Sequence, residues 1–250
     1  MNLLITICGR AGSKGVQNKN IREFLGKPLI LYTILAAYLF KERNRDDQVD
    51  ICVSSNSDEL LSVADQYDVI CIKRPEELAL DTSPKVPAIR YSLEFMEAKF
   101  RRQYDYVIDL DITSPLRKVT DIENALNKTM ENKEADVVFS VVPSRRNPYF
   151  NMVEKKDGKM QKIINTSFPT RQQAPGVYDM NASVYCYKRS SLLYKPQQCP
   201  LEGVFDIILM KDTAILDIDS EEDFELMEIL VRYHFMEEYK ELFDNTYLKG

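Results

Sequence analysis

The chain opens with Asn2-Leu3-Leu4-Ile5-Thr6-Ile7-Cys8, an apolar run that leads directly into Gly9-Arg10-Ala11-Gly12-Ser13-Lys14-Gly15. Three of the eight glycines in the whole sequence fall in this second stretch. Glycine lets a backbone adopt positive φ angles and approach an anion closely, while Arg10 and Lys14 supply positive charge. A short strand followed by a basic glycine loop predicts a phosphate-binding turn at the edge of a sheet.

The loop does not follow the two commonest phosphate-binding patterns. A Walker loop places Ser or Thr after Gly-Lys, whereas Ser13 precedes Lys14 here. A dinucleotide fingerprint needs Gly-x-Gly-x-x-Gly, but these glycines are spaced three residues apart. The loop therefore indicates an anion site of another kind, with an ordinary βα turn as the alternative.

Length, charge and cysteine spacing limit the classes of function. The 250 residues fit one α/β domain, and a net charge of −6 argues against a nucleic-acid partner. The longest apolar segment, 28–40, is too short to cross a membrane. Residues 3–7 have the pattern of a strand rather than of a signal peptide, so no signal peptide is expected. Five cysteines without metal-binding spacing indicate a reducing compartment, so we expect a cytoplasmic protein. With His234 as the single histidine, histidine-based catalysis is not expected.

Strand-like and helix-like runs alternate along the first part of the chain. The expected strands are 2–8, 50–54, 69–72, 106–110 and 136–142, and the expected helices are 28–41, 58–67, 84–99 and 121–132. Near-continuous apolar strands between amphipathic helices predict a doubly wound, mostly parallel α/β sheet. Ligands of such sheets bind at the carboxyl ends of the strands, where the glycine loop lies.

The pattern changes after residue 142. The segment 143–175 is polar and contains Asp157-Gly158, a two-residue hairpin signal. Strands are expected again at 182–187 and 213–218, and Ser220 then caps a long helix that begins with acidic residues. We therefore expect one domain over 1–250 with an insertion at 143–175.

Carboxylates lie at the ends of two expected strands. Asp109 and Asp111 share one side of their strand by alternation, and Asp217 and Asp219 close the last strand. Hard oxygen ligands beside a polyphosphate loop suit Mg²⁺, although turn formation and helix capping are alternative roles.

A third polar cluster combines Arg171-Gln172-Gln173 with Tyr178 and Asn181. An arginine, two amides and a phenol suit a polyhydroxylated, carboxylated substrate, although an ordinary polar loop would look the same.

Taken together, these segments resemble the acylneuraminate cytidylyltransferase family, the CMP-sialic acid synthetases. The resemblance runs in the family's order through Arg10-Ala11-Gly12-Ser13-Lys14-Gly15, Asn18-Lys19-Asn20-Ile21, Gly26-Lys27-Pro28-Leu29-Ile30, Arg74-Pro75-Glu76-Glu77-Leu78-Ala79-Leu80-Asp81-Thr82, Thr113-Ser114-Pro115-Leu116-Arg117, Arg171-Gln172 to Asn181, and Asp217-Ile218-Asp219. It implies a Rossmann-like nucleotidyltransferase that transfers a cytidylyl group from CTP to a nine-carbon α-keto acid sugar and releases pyrophosphate. It also implies a homodimer formed through 143–175.

The resemblance further implies a role for each matching residue. The catalytic set would be Arg10, Lys14 and Lys19. Nucleotide contacts would come from Arg10, Gly12, Ser13, Lys14, Asn20, Arg74, Asp81 and Thr82. Acceptor contacts would come from Ser114, Arg117, Arg171, Gln172, Asn181 and Tyr185. Asp217 and Asp219 would bind Mg²⁺ or Mn²⁺. In-line attack of the anomeric hydroxyl on the α-phosphorus needs positioning and charge stabilisation rather than a covalent nucleophile.

The chain departs from the family pattern at two positions. Asp111-Ile112 stands where sialic-acid members usually carry Gln-Pro, and Ala182 stands where they often carry Gly. Asp111 is predicted to be a third metal carboxylate, so Asp111→Asn is predicted to raise the Mg²⁺ requirement. Because of these departures, legionaminate, pseudaminate or another bacterial nonulosonate is an alternative to N-acetylneuraminate as the acceptor.

Two alternatives remain at this point. One is another enzyme of the superfamily, such as a Kdo cytidylyltransferase or a sugar-1-phosphate nucleotidyltransferase. The other is a nucleotide-binding module without turnover, and the argument against it is that Arg10, Lys14, Lys19, Asp217 and Asp219 are all intact.

Overall fold

A computed structural model describes residues 1–12, 15–195, 197–211 and 217–243. Its strands are β1 Asn2–Cys8, β2 Glu23–Phe24, β3 Lys27–Pro28, β4 Gln48–Ser55, β5 Ile70–Lys73, β6 Tyr106–Leu110, β7 Val137–Pro143, β8 Val153–Lys156, β9 Lys159–Lys162, β10 Tyr178–Lys188 and β11 Phe205–Leu209. Its α-helices are α1 Leu29–Arg43, α2 Asp58–Asp65, α3 Lys85–Phe100, α4 Val119–Glu131, α5 Arg189–Tyr194, α6 Glu221–Leu230 and α7 Lys240–Phe243. Among the described residues, no helix is long and apolar enough to span a membrane.

The central sheet has the strand order β11-β7-β10-β6-β1-β4-β5 within the described residues. Neighbouring strands are parallel except at β10, which runs antiparallel to both β6 and β7. The prediction of a mostly parallel α/β sheet is therefore confirmed. The antiparallel strand in its middle was not predicted, because alternation within a strand carries no information about its direction.

Helices cover both faces of this sheet, and β1 shows how the sequence divides between them. Leu3, Ile5 and Ile7 pack into the core under α1, α2, α4 and α6, whereas Leu4 packs into the core under α3 and α5. A strand buried on both faces must be apolar on both, which explains its continuous hydrophobic run. Eleven of the fifteen residues of α1 are also buried, all of them between Leu29 and Phe40, because the sheet and other helices surround this helix.

The chain changes direction across the sheet after β5. It proceeds outward from β1 to β4 and β5, and then returns to the other side of β1 to form β6. The carboxyl ends of β1 and β6 therefore flank a topological switch point, where open α/β sheets bind their ligands.

The residues between β7 and β10 leave the sheet and return to it at one place. The backbone N–H of Ser144 donates to the carbonyl of Val177 at 3.0 Å, which closes this excursion at its base. Within it, β8 and β9 form a hairpin around Asp157 and Gly158, both with positive φ, as the turn signal predicted. The proposed role of this segment in dimer formation stays a prediction.

The late elements were predicted less completely. Ser220 does cap α6, accepting a hydrogen bond from the Asp223 N–H at 3.1 Å. The expected strand at 213–218 falls largely on 212–216, which lie outside the described residues. Sequence reasoning missed α5 and β11, which are only six and five residues long.

A buried carboxylate, Asp136, joins β7 to the segment before β11. It accepts hydrogen bonds from Ser191 at 2.8 Å, Lys195 at 2.5 Å, Gln197 at 3.2 Å and the Val204 N–H at 3.1 Å. Burial alone would raise the pKa of Asp136, but the hydrogen bonds, led by that from Lys195, lower it below its usual value of 3.8. This carboxylate therefore stabilises the fold in its ionised form.

We expect Asp136→Asn to lower the free energy of unfolding by about 2–3 kcal/mol at pH 7, because charge-assisted hydrogen bonds are lost. Since the folded-state pKa is depressed, the contribution is complete above the unfolded pKa and is lost as pH falls through the folded pKa. In urea unfolding, the free energy of unfolding should therefore decrease less between pH 7 and pH 2 in the variant than in the wild type. Asp157→Asn, in the exposed hairpin turn, is the control. Parallel pH curves for Asp136→Asn and wild type would contradict the assignment.

Candidate active site

A cleft of about 440 Å³ lies at the switch point, above the carboxyl ends of β1 and β6. Its lining combines the glycine loop, the segment before α3 and the start of the loop after β6. The lining residues are Cys8, Gly9, Arg10, Gly15, Lys19, Asn20, Arg74, Leu78, Leu80, Ser83, Pro84, Lys85, Ala88, Asp111, Thr113 and Asp219. The cleft is therefore predominantly cationic and polar, as a polyphosphate site requires.

Backbone contacts fix the start of the glycine loop. The N–H of Gly9 donates to the carbonyl of Ser54 at 3.1 Å, and its carbonyl accepts from the buried Arg74 guanidinium at 2.6 Å. The Ala11 N–H donates to the Asn56 side chain at 2.9 Å. Arg74 thus supports the loop from beneath while lining the cleft. Ser13 and Lys14, both predicted to bind nucleotide, lie outside the described residues.

Gly15 is the tightest point of the loop. A Cβ atom built on this residue would lie 1.7 Å from the carbonyl oxygen of Asp219, far inside contact distance. Only glycine fits at this position, where the loop passes the backbone of Asp219. This close approach brings the first and the last predicted motifs together.

Charged side chains join the walls of the cleft. Arg10 forms an ion pair with Asp81, and the Lys19 ammonium donates to the carbonyl of Ile218 and to Asp219 at 3.2 Å. Asn20, which is buried, donates to the carbonyl of Arg10 at 3.3 Å. The structure therefore brings these predicted residues to one site. Gly12, with φ of +75°, lies in the glycine loop but outside the lining of the cleft. Thr82, which follows Asp81, is exposed and also lies outside the lining.

Two carboxylates at the carboxyl end of β6 share one lysine. The Lys85 Nζ lies 2.7 Å from Asp109 Oδ2 and 2.6 Å from Asp111 Oδ2. Asp109 is fully buried and also accepts from the Thr6 hydroxyl at 2.8 Å. Asp111 Oδ1 accepts from the Thr113 N–H at 2.9 Å and from its hydroxyl at 2.8 Å. Burial would raise the pKa of Asp111, but Lys85 and Thr113 together hold it well below its usual range.

Sequence reasoning missed Lys85. It is the first residue of α3, where a positive charge is unfavourable because the helix dipole is positive at that end. A lysine at a helix start directly after the second motif was the available signal that an acidic partner must lie nearby.

Asp217 and Asp219 differ from Asp111 in what their oxygens contact. Asp217 Oδ1 is buried without a hydrogen-bond partner among the described residues, whereas the Asp219 side chain is 79% exposed. Burial, then the charges of Asp111 and Asp219, raise the pKa of Asp217. An unpartnered carboxylate oxygen beside an exposed carboxylate fits a hard divalent cation. No cluster of three or more metal-binding side chains occurs in the described residues, and both Asp111 oxygens are already engaged.

Four predicted acceptor residues lie beneath the cleft rather than on its lining. The Ser114 hydroxyl donates to the carbonyl of Asn181 at 2.9 Å, and the Asn181 side chain accepts from Ser140 at 2.6 Å. Arg117 is fully enclosed and donates to the carbonyls of Asp111 and Ser114. Tyr185 is buried, with Lys85 Nζ 5.5 Å from its ring centroid. In this structure these groups hold the floor of the cleft, so direct substrate contact would require them to be uncovered.

Arg171 and Gln172 lie in an exposed turn outside the lining of the cleft. The Arg171 guanidinium donates to the carbonyl of Ser144 at 2.5 Å and so ties this turn to the base of the excursion. The structure does not bring the pair together with Arg10 and Lys19.

Ala182 lies at an irregularity of β10, between the stretch Tyr178–Met180 and the stretch Tyr185–Tyr187, both of which pair with β7. Its φ of +53° is a left-handed conformation that an L-residue adopts at a cost. This geometry explains why glycine suits the position.

Known proteins match this chain over nearly its whole length. A family model described as cytidylyltransferase matches residues 4–241. Post-translational flagellin modification protein B of Campylobacter coli is 40% identical over 238 residues, covering 92% of this chain and 95% of that protein. CMP-N,N'-diacetyllegionaminic acid synthase of Campylobacter jejuni is 40% identical over 237 residues, covering 92% of this chain and 94% of that protein.

Solved structures agree at the level of the fold. CMP:2-keto-3-deoxy-manno-octonic acid synthetase, solved in complex with CTP, matches with a TM-score of 0.66 and 14% identity. The match covers 93% of this chain and 99% of that one. The sequence motifs, the polar cleft at the switch point and the full-length relatives agree, and the chain belongs to the cytidylyltransferase family.

Proposed function

We propose that the chain activates a nonulosonic acid by transferring the cytidylyl group of CTP to it, with release of pyrophosphate. The observation that carries this proposal is the meeting of Arg10, Lys19 and Asp219 in one cleft, at the place where the glycine loop packs on Asp219. The name of the Campylobacter jejuni relative supports a diacetylated legionaminic acid as the acceptor. Because the reaction uses CTP, we place it in the cytoplasm.

The residues of the cleft suit in-line displacement at the α-phosphorus. Arg10 and Lys19 would receive the triphosphate, each exchanging a present acidic partner for phosphate oxygens. Preorganised cations of this kind stabilise the charge that develops on the leaving pyrophosphate. Asp217 and Asp219 would hold Mg²⁺ or Mn²⁺, which would supply further charge neutralisation when bound. Arg74 and Asn20 would keep the loop in register for the nucleotide.

We also propose a homodimer built on the excursion and the sheet surface beside it. A groove of about 490 Å³ lies there, lined in part by Val141, Tyr178, Met180 and Phe205. Tyr178, Met180 and Phe205 are exposed in the single chain. Apolar surface of this kind is covered in many homodimers. Light scattering coupled to gel filtration should give twice the chain mass, and Phe205→Asp should shift it to the monomer.

A pyrophosphate-release assay tests the proposed reaction. CTP should be tested against ATP, GTP and UTP, each with N,N'-diacetyllegionaminate, pseudaminate, N-acetylneuraminate and Kdo, with and without Mg²⁺. We expect turnover with CTP and the legionaminate at least about tenfold above the other acceptors, the discrimination that small differences in pocket contacts produce. Preference for Kdo would overturn the acceptor class. A CTP-dependent rise in Tm without pyrophosphate release would indicate a binding module instead.

Gly15→Ala should impair this reaction more than it impairs folding. The added methyl must push the loop away from the Asp219 carbonyl, and displacements near 1 Å cost about 10²-fold in rate. We expect kcat/KM to fall by about that factor. Gly176→Ala is the matched control, because its new Cβ would meet only the Tyr178 hydroxyl, at 3.8 Å. Equal rates for the two variants would contradict the tight contact.

A further inference from the structure

One cation built into the protein already lies where two acidic strand-end residues converge. Lys85 Nζ is within 2.7 Å of the Oδ2 atoms of both Asp109 and Asp111. Its side chain lines the cleft, whereas Asp109 is fully buried beneath it. Two carboxylate oxygens that face one positive atom are the arrangement in which a divalent ion would otherwise be held.

The remaining oxygens of this pair are also satisfied. Asp109 Oδ1 accepts from Thr6, and Asp111 Oδ1 accepts twice from Thr113. Burial alone would lower the pKa of Lys85, but the two carboxylates raise it well above its usual value, so the ammonium stays charged. The group is therefore a closed ion cluster rather than an open set of ligands.

Positive charge already lies next to these carboxylates without a metal. Lys85 forms ion pairs with both Asp109 and Asp111. The buried Arg117 guanidinium also interacts electrostatically with both, as it does with Asp121 and Asp217. Asp109 Oδ2 makes no hydrogen bond either, but it lies 2.7 Å from the Lys85 ammonium. Asp217 Oδ1 is buried without a hydrogen-bond partner and without such a cation contact among the described residues.

We propose that Lys85 serves as a fixed internal cation for Asp109 and Asp111 and thereby confines metal binding to Asp217 and Asp219. This inference rests on the proposed function, and it replaces the sequence-based assignment of Asp111 as a third metal carboxylate. Lys85 is a positioning residue in this scheme. It fixes Asp111, and Asp111 in turn holds Thr113 at the start of the loop that closes the floor of the cleft.

Counting bound Mn²⁺ tests the proposal without relying on turnover. Free Mn²⁺ is measured by electron paramagnetic resonance during titration of the wild type, Lys85→Met, Lys85→Arg, Asp111→Asn and the double variant Lys85→Met with Asp111→Asn. Lys85→Met removes the ammonium, so we expect one additional Mn²⁺ per chain. Lys85→Arg keeps the charge, and the double variant lacks one of the two carboxylates, so both should match the wild type.

Melting curves provide a second readout. Metal-free Lys85→Met should melt below the wild type, because two buried carboxylates lose their partner, and Mn²⁺ should raise its Tm by more than that of the wild type. A folded Lys85→Met that binds the wild-type number of ions would overturn the proposal. Loss of a bound ion in Asp111→Asn, a nearly isosteric change that does not depend on Lys85→Met folding, would also overturn it. Failure of the wild type to release pyrophosphate would refute the proposed function alone, because the difference in ion count between variants is measured separately.

Discussion

Asp217→Asn is expected to lower the rate of CMP-sugar formation by about 10²–10³-fold, the range found when one group that stabilises transition-state charge is removed. Asp217 has a buried carboxylate oxygen without a hydrogen-bond partner among the described residues, which is the feature that suits it to hold a cation. Asparagine keeps the shape of the side chain but loses the charge. Pyrophosphate release at saturating CTP and acceptor, measured across a Mg²⁺ titration, gives the effect.

The same substitution should leave the fold as stable as before or make it more stable. Burial and neighbouring carboxylates raise the pKa of Asp217 in the folded chain. A raised folded-state pKa means that stability is lost as pH rises through that value, and Asn removes this loss. Tm at pH 7 without metal should therefore equal or exceed that of the wild type. Asp68→Asn, at an exposed position outside the cleft, is the control. Full activity in Asp217→Asn would contradict the assignment.

Arg117→Met is expected to lower the free energy of unfolding by about 3–5 kcal/mol, the range for removing one partner of a buried charge cluster. The guanidinium is fully enclosed and donates to the carbonyls of Asp111 and Ser114. Burial lowers its pKa to about 10, against the raising effect of the neighbouring carboxylates, so it remains charged at pH 7. Methionine would leave the two buried carbonyls without this donor and would remove a positive charge that interacts electrostatically with Asp109 and Asp111.

Urea unfolding of Arg117→Met, Arg117→Lys and the exposed control Arg146→Met measures the effect. Lysine keeps the charge but not the forked geometry of arginine. The decrease in unfolding free energy for Arg117→Lys should therefore lie between the decreases for Arg117→Met and Arg146→Met. Unchanged stability together with a raised KM for the acceptor would instead support the sequence-based assignment of Arg117 to substrate binding. The two roles are thus separated by stability and KM.

The sequence was informative where local chemistry and position coincide. The strand 2–8, the hairpin turn at Asp157-Gly158 and the cap at Ser220 were predicted because each depends on a few neighbouring residues. The meeting of Arg10 and Asp219 was expected from the rule that ligands bind at strand carboxyl ends, whereas Lys19 was assigned to the site through the family resemblance. Long-range partnerships were harder to predict. Lys85 lies more than twenty residues before its carboxylates, and nothing between them indicates the contact.

Burial was the other quantity that the sequence did not reveal. Ser114, Arg117 and Asn181 are polar residues within motifs, and a polar residue in a motif favours an exposed, ligand-binding interpretation. The structure instead buries all three, and they form hydrogen bonds with one another and with the backbone near β10, which lies between β6 and β7. This arrangement depends on the antiparallel direction of β10, which hydrophobic periodicity does not encode.

The excursion between β7 and β10 has a consequence for how this fold can vary among family members. Because β10 is antiparallel to β7, the two ends of the excursion meet at one edge, joined by Ser144 and Val177. A segment with adjacent, hydrogen-bonded ends can be exchanged or lengthened at little entropic cost to the rest of the chain. The fold therefore permits modular grafting: residues 145–176 of one family member can be transplanted into another while the sheet and the nucleotide end stay unchanged.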